Sequence, residues 1–204
     1  MKRAVFLDRD GVLNELVLNR ATGDHESPYR PEDVVLTPGA VEALRLLGTL
    51  GVPLAVVSNQ PSAAKGTASL EALASVHDAL VALLAAEGVA LDEVRYCFHH
   101  PDGTDAVLGH ACECRKPAPG LILQAAEALG LDADGLARSW LIGDSDVDVE
   151  AGGAAGLRTI LVEDPRSAHR RGGAEPDARA ADVIKAAKIV ARAVAPTIHA
   201  EEAR

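Results

Sequence analysis

Two carboxylates one residue apart, Asp8 and Asp10, precede Gly11, which permits a tight backbone turn. Further along, Ser58-Asn59-Gln60 offers a hydroxyl and two amides, Arg115-Lys116-Pro117 two adjacent cations, and Gly143-Asp144-Ser145 with Asp148 another group of acids. Each is weak alone. Asp-x-Asp-Gly occurs in surface turns and calcium loops, a cation pair is commonly solvated, and Asp144 or Ser145 could cap a helix. Together they supply what phosphoryl transfer to a carboxylate needs. Nucleophile and phosphate ester are both anions, and unit charges ~4 Å apart repel by about 4 kcal/mol at an effective dielectric near 20. A divalent cation held by Asp8 and Asp144, with the Lys116 ammonium, would cancel that repulsion and stabilise the equatorial oxygens. Oxygen-only ligation by few carboxylates suits Mg²⁺.

A second constellation lies just before the cation pair. Cys97-Phe98-His99-His100-Pro101, followed by Cys112-Glu113-Cys114, contains all three cysteines of the chain. Three thiolates and one imidazole make a closed, structural zinc site, with His100 and His110 as alternatives to His99 for the fourth ligand. An odd cysteine count argues against a disulfide framework; three ordinary thiols are the plainer alternative.

Alternating strands and helices must carry these groups. Residues 3–7, 53–57, 94–98, 140–142 and 159–162 read as short buried strands, and Asp8, Ser58 and Gly143 follow the first, second and fourth. Thr37-Pro38-Gly39 opens a helix with Thr37 as cap, carrying Val41, Leu44, Leu47 and Leu50 and ending at Gly51. Helices are also expected over 69–87, 119–129 and 185–195, and more weakly over 146–155, which Gly152 and Gly153 interrupt. Residues 14–33 and 163–180 read as irregular, and 196–204 as a frayed tail beyond one domain spanning 1–195. The fold class is α/β: a doubly wound, mainly parallel, Rossmann-like sheet with a metal-binding loop and ligands beyond the strands' carboxyl ends.

Composition bounds the partners. A formal charge of −10 argues against a nucleic-acid groove, and any phosphate site must be positive locally. No apolar run suits a membrane span or signal peptide, so a cytoplasmic, monomeric protein acting on a small molecule is expected. Aromatic residues make up only 2%, so the core must be aliphatic.

Asp8-Arg9-Asp10-Gly11, Ser58, Lys116 and Gly143-Asp144…Asp148 resemble the four motifs of the haloacid dehalogenase-like (HAD-like) phosphatases. That resemblance implies Asp8 as nucleophile, Asp10 as general acid/base, and Ser58 and Lys116 as holders of the phosphoryl group. It also implies Mg²⁺ held by Asp8, the Asp10 backbone carbonyl and Asp144, with Asp148 orienting Lys116 or a metal-bound water. Ser58 keeps the hydroxyl where Thr is more frequent. The run from Cys97 to Pro117 resembles the zinc-bearing subgroup of heptose bisphosphate and histidinol-phosphate phosphatases. It implies Cys97, His99, Cys112 and Cys114 as structural Zn²⁺ ligands, Arg115 as a substrate contact, and Asn59, Gln60 and Ser145 as pocket lining. A sugar bisphosphate is the expected substrate, histidinol phosphate or another small phosphomonoester the alternative. Two departures bear on specificity: the length of 14–33, with Tyr29 and Arg30, and Pro61 where a small polar residue is usual. A receiver domain would place its acceptor after the third strand, and a module without catalysis would be expected to lack one of the acids or Lys116.

Overall fold

The computed structural model describes residues 2–20 and 22–194. In chain order its strands are β1 (Val5–Leu7), β2 (Val17–Leu18), β3 (His25–Glu26), β4 (Leu54–Asn59), β5 (Glu93–Cys97), β6 (Trp140–Gly143), β7 (Arg158–Val162) and β8 (Ala178–Ala180). Its helices are α1 (Ala40–Gly48), α2 (Leu70–Ala86), α3 (Gly120–Ala128), α4 (Ala133–Ala137), α5 (Asp146–Ala154) and α6 (Val183–Val194). Six strands form one parallel sheet in the order β5-β4-β1-β6-β7-β8, while β2 and β3 make a separate antiparallel hairpin.

Strand alternation divides the core in two. Val5, Leu7, Val56, Ile142, Ile160 and Val162 join residues of α1, α2 and α6 in one apolar cluster. Phe6, Ala55, Val57 and Leu141 join residues of α3 in the other. The chain runs from β1 outward to β5, then returns to β1's other edge as β6. Strand order therefore reverses beside β1, where sheets of this kind hold ligands. Asp8 directly follows β1 and Asp144 directly follows β6, on the two sides of that reversal.

All five expected strands are present, with ends moved by one or two residues. In α2 the apolar stripe buries Leu73, Val76, Leu80 and Leu84, and Ser69 caps it by accepting from the Ala72 N–H at 3.1 Å. Leu70 at its first position is exposed. Thr37 is not a cap. Gly39, at φ 82°, turns the chain so that α1 starts at Ala40, and Thr37 contributes only its carbonyl. That helix stops at Gly48, before Gly51. The stretch 163–180 is more ordered than its composition implies. Asp164 caps a 3₁₀ turn, Pro165–Arg170, through the Arg166 N–H at 2.8 Å, and the three residues of β8 are too few to show periodicity. Likewise 14–33 holds the β2–β3 hairpin and a 3₁₀ turn, Pro31–Asp33. The short α4, capped by Asp132, was not expected. The expected tail 196–204 lies outside the described residues. No described helix is long and apolar enough to cross a membrane.

The two glycines that weakened the reading of α5 differ in their surroundings. A Cβ at Gly152 would lie 2.5 Å from Thr159 Cγ2, because there α5 packs directly on the sheet, whereas one at Gly153 meets nothing within 4 Å. Urea denaturation should therefore show opposite signs. Gly152→Val should lose about 1–3 kcal/mol to overpacking, and Gly153→Ala should gain about 0.5–1 kcal/mol from helix propensity.

Candidate active site

Lys116 is the hub of the crevice beside β1. Its Nζ donates to Asp8 Oδ1 at 2.9 Å, to the Val57 carbonyl at 2.8 Å and to Asp148 Oδ1 at 2.5 Å. An ammonium has three donors, so all are used. Burial would lower its proton affinity, but Asp148 and Asp8 more than reverse that, and it is held as a cation. The main chain at Lys116 is fixed by Asn59, which donates to its carbonyl at 2.9 Å and accepts from its N–H at 3.0 Å. Asp148 also serves α5: its Oδ2 accepts from the Ser145 backbone N–H at 3.2 Å and from the Ser145 hydroxyl.

Ligand atoms of Asp8, Asp144 and Asp148 lie within 4.8 Å of one another, and all three residues are buried. Burial raises the pKa of Asp8, against the pull of Lys116. Asp144 rises well above the usual carboxylate range because of burial and then the neighbouring Asp8 and Asp148. Neither Asp144 carboxylate oxygen has a hydrogen-bond partner among the described residues. Three carboxylates around one ammonium leave two negative charges unbalanced, so the donor set fits an oxygen-seeking divalent cation. Close approach makes the cluster possible. A Cβ at Gly11, where φ is 84°, would lie 2.2 Å from Asp144 Oδ2, and one at Gly143 would lie 2.2 Å from Asp148 Cβ.

Asp10 has a different environment. Oδ1 accepts from Arg9 Nε at 3.0 Å and Asn14 Nδ2 at 2.9 Å; Oδ2 accepts from Arg9 Nη2 at 3.1 Å and Gln60 Nε2 at 2.6 Å. Burial alone would raise its pKa, but Arg9, Asn14 and Gln60 bring it below the usual value. Arg9 is wholly buried, its guanidinium carbon 5.4 Å from the Tyr96 ring centre.

Of the expected site residues, Asp8, Asp10, Ser58, Asn59, Arg115, Lys116 and Ser145 line one cavity of about 380 Å³. Gln60 does not: it is fully buried behind the acids and braces Asp10 instead of facing substrate. The Asp10 carboxylate lies outside the metal-type cluster, where Asp148 stands with Asp8 and Asp144. Arg9 and Asn14 went unnoticed in the sequence. For Arg9 the signal lay in alternation continued past the end of β1, which turns the residue between two crevice-facing acids inward, whereas Asn14, in the turn that follows, carried none.

Cys97, His99, Cys112 and Cys114 converge. Sulfur–sulfur distances are 3.2, 3.3 and 3.5 Å, and His99 Nδ1 lies 3.5 and 3.7 Å from Cys114 and Cys97. A tetrahedral site with Zn–S near 2.3 Å has ligand edges of roughly 3.8 Å, so the four donors fit one zinc ion. The rivals stand apart: His110 packs against the His99 ring, and His100 Nδ1 accepts from the Asp102 N–H. The Arg115 N–H donates to Cys112 Sγ at 3.3 Å, which ties the metal-type loop to the segment that delivers Lys116.

Comparison with known proteins agrees with this geometry. A family model described as HAD-hydrolase-like matches residues 113–188. The chain is 36% identical over 175 residues to a D-glycero-beta-D-manno-heptose-1,7-bisphosphate 7-phosphatase of Yersinia pestis, covering 85% of this chain and 87% of that one. A protein of the same name from Rhodopseudomonas palustris is 39% identical over 78% of this chain and 83% of its own. The crystal structure of a D,D-heptose 1,7-bisphosphate phosphatase from B. bronchiseptica, complexed with magnesium and phosphate, superposes with a TM-score of 0.75 at 29% identity. The match covers 94% of this chain and 99% of that chain.

Two outcomes test the metal assignments. Asp144→Asn removes a carboxyl whose charged form is disfavoured by burial and by Asp8 and Asp148, so it should raise the melting temperature of metal-free protein at alkaline pH, where the carboxyl is ionised, by about 2–4 °C per kcal/mol relieved, and less as the pH falls. It should also abolish the stabilisation wild type gains from Mg²⁺. Metal analysis should find about one zinc per chain in wild type, and Cys112→Ser and Cys114→Ser should lose both the ion and thermal stability.

Proposed function

Because the chain belongs to the HAD-like phosphatase family that includes the D-glycero-beta-D-manno-heptose-1,7-bisphosphate 7-phosphatases, we propose that it removes the 7-phosphate of that sugar through an aspartyl-phosphate. Asp8, steadied through Oδ1 by Lys116, attacks phosphorus as the ester P–O bond breaks, and Asp10 gives its proton to the departing alkoxide. Asp10 then takes a proton from water, whose oxygen attacks phosphorus; the bond to Asp8 breaks, and inorganic phosphate leaves with the carboxylate restored. Arg9 opposes the first proton transfer by favouring ionised Asp10, while the arriving phosphoryl anion favours the protonated form. Ser58 would hold a phosphoryl oxygen, while Lys116, its donors engaged by Asp8, Asp148 and the Val57 carbonyl, supplies positive charge beside it. Mg²⁺ bound by Asp8 and Asp144, with the Asp10 carbonyl, would supply the positive charge that lets one anion approach another. Zinc bound by the cysteines and His99 would stiffen the loop that carries Arg115 and Lys116.

One observation favours a sugar bisphosphate over histidinol phosphate. Apart from Asp8, Asp10 and Asp148, every charged side chain lining the cavity is a cation: Lys65, Arg115, Lys116 and Arg170. A substrate with a second anionic group gains from that wall, whereas the ammonium of histidinol phosphate is repelled.

The test compares kcat/KM for both anomers of heptose 1,7-bisphosphate and for histidinol phosphate in Mg²⁺ buffer. The beta bisphosphate should lead histidinol phosphate by at least about tenfold, on the scale of one charge-assisted contact. Asp8→Asn should abolish turnover while leaving the fold intact, as circular dichroism would show, because Lys116 keeps Asp148 as its counter-ion. Phosphate release near the wild-type rate from that variant would refute the nucleophile assignment.

A further inference from the structure

Within the metal-type cluster, Asp8 and Asp148 are each fixed by Lys116, but no hydrogen bond of ordinary geometry directs either carboxylate oxygen of Asp144. Arg170 and Ser167 temper its raised pKa. Its aim is therefore inherited from its main chain, which leaves β6 at Gly143, and from close packing on Gly11.

That main chain is gripped by the segment after β7. The Asp144 carbonyl accepts from Ser167 Oγ and from Arg171 Nη1, each at 3.3 Å. Arg171 Nη1 also donates to Ser167 Oγ at 2.8 Å and to the carbonyls of Asp164 at 2.9 Å and Val162 at 3.4 Å. Ser167 is wholly buried and shares its hydrogen with the Asp164 carbonyl at 3.1 Å. Two residues past Asp144, Asp146 Oδ2 accepts from the Gly172 and Gly173 N–H groups at 2.8 Å each. The loop that presents Asp144 is thus tied on both sides of Ser145. Four acceptors share the two hydrogens of Nη1, so the charge of the guanidinium matters as much as any directed bond. Carbonyl oxygens gathered from two strand ends repel one another unless a cation stands among them.

The geometry points to Arg171 and Ser167 as positioning residues for the metal site: their clamp on the Asp144 main chain sets the affinity for Mg²⁺ and the preference for it over Ca²⁺. Mg²⁺ demands near-ideal octahedral ligands at about 2.0–2.1 Å, whereas Ca²⁺ accepts larger and looser sites, so a rigid Asp144 favours the smaller ion. Removing a partner one layer behind the ligands typically changes metal affinity by about 10–100-fold. This rests on the divalent-cation site read at Asp8 and Asp144, and it holds whichever phosphate ester is the substrate.

The experiment measures Kd for Mg²⁺ and for Ca²⁺ without substrate, by calorimetry and by melting temperature against metal concentration. Arg171→Met should raise the Mg²⁺ Kd about 10–100-fold and the Ca²⁺ Kd less, which narrows the preference. Ser167→Ala should act in the same direction by a smaller factor. Arg171→Lys should recover part of the loss, because one nitrogen makes all four contacts and an ammonium can take its place. An equal rise for the two ions keeps the affinity claim and overturns the selectivity claim. A lower melting temperature of metal-free Arg171→Met and Ser167→Ala, with both Kd values unchanged, makes the segment a brace for the fold alone and overturns the proposal. Where Arg171→Met does not fold, unchanged Kd values in Ser167→Ala and Arg171→Lys overturn it equally. Mg²⁺ binding that survives Asp144→Asn overturns the metal site and this inference with it. Metal affinity that depends on Arg171, in a protein without phosphatase turnover, overturns the hydrolase and leaves the clamp standing.

Discussion

A single ammonium, Lys116 Nζ, joins a carboxylate from the end of the central strand to one from the first turn of α5, with a carbonyl of β4 as its third partner. Taking such a group out of water is expensive, and removing one partner from a buried pair generally costs about 3–5 kcal/mol. The surrounding sequence is organised around meeting that cost. Asn59 fixes the main chain at Lys116 from both sides, Asp148 is held by the Ser145 N–H, and Gly143 leaves room for the Asp148 side chain. The strand reversal beside β1 brings these pieces to one place.

The same crevice sorts its acids by environment. Asp8 has a raised pKa because burial outweighs the pull of Lys116, and Asp144 because burial is reinforced by Asp8 and Asp148; a divalent cation would answer both. Asp10, two residues from Asp8, is pulled the other way by Arg9, Asn14 and Gln60. One turn of chain thus presents a carboxylate that awaits a cation and another whose four acceptor positions are filled from within the protein. For the proposed roles this resting pattern is the reverse of what attack and proton donation require, so the arriving cation and phosphoryl anion must lower the one pKa and raise the other.

The acids proposed for catalysis, Lys116 and the cysteine cluster were legible in the sequence because each pairs a distinctive residue type with a strand end or a short spacing. The sheet was legible for a similar reason: β6 is a continuous apolar run, and β4 and β7 contain the runs Leu54–Val57 and Ile160–Val162, as buried parallel strands do. What escaped depended on contacts distant in sequence. Gln60 looked like a pocket residue because it follows Ser58, yet the strand's turn sends it under Asp10. Thr37 had the composition of a cap, but the left-handed Gly39 moved the start of the helix past it. Arg170 lies in a stretch rich in Gly, Pro and charge, and only its bond to the His25 carbonyl, 145 positions away, places it at the cavity.

The bond between Lys116 and Asp8 spans 108 positions, and Asp148 lies 32 beyond Lys116. During synthesis Asp8 therefore emerges from the ribosome long before its counter-ion, and the clasp can close only when nearly three-quarters of the 204 residues have been made. Assembly of the site is thus a long-range step, which waits on the pairing of β6 with β1 that brings Asp144 and the start of α5 beside Asp8.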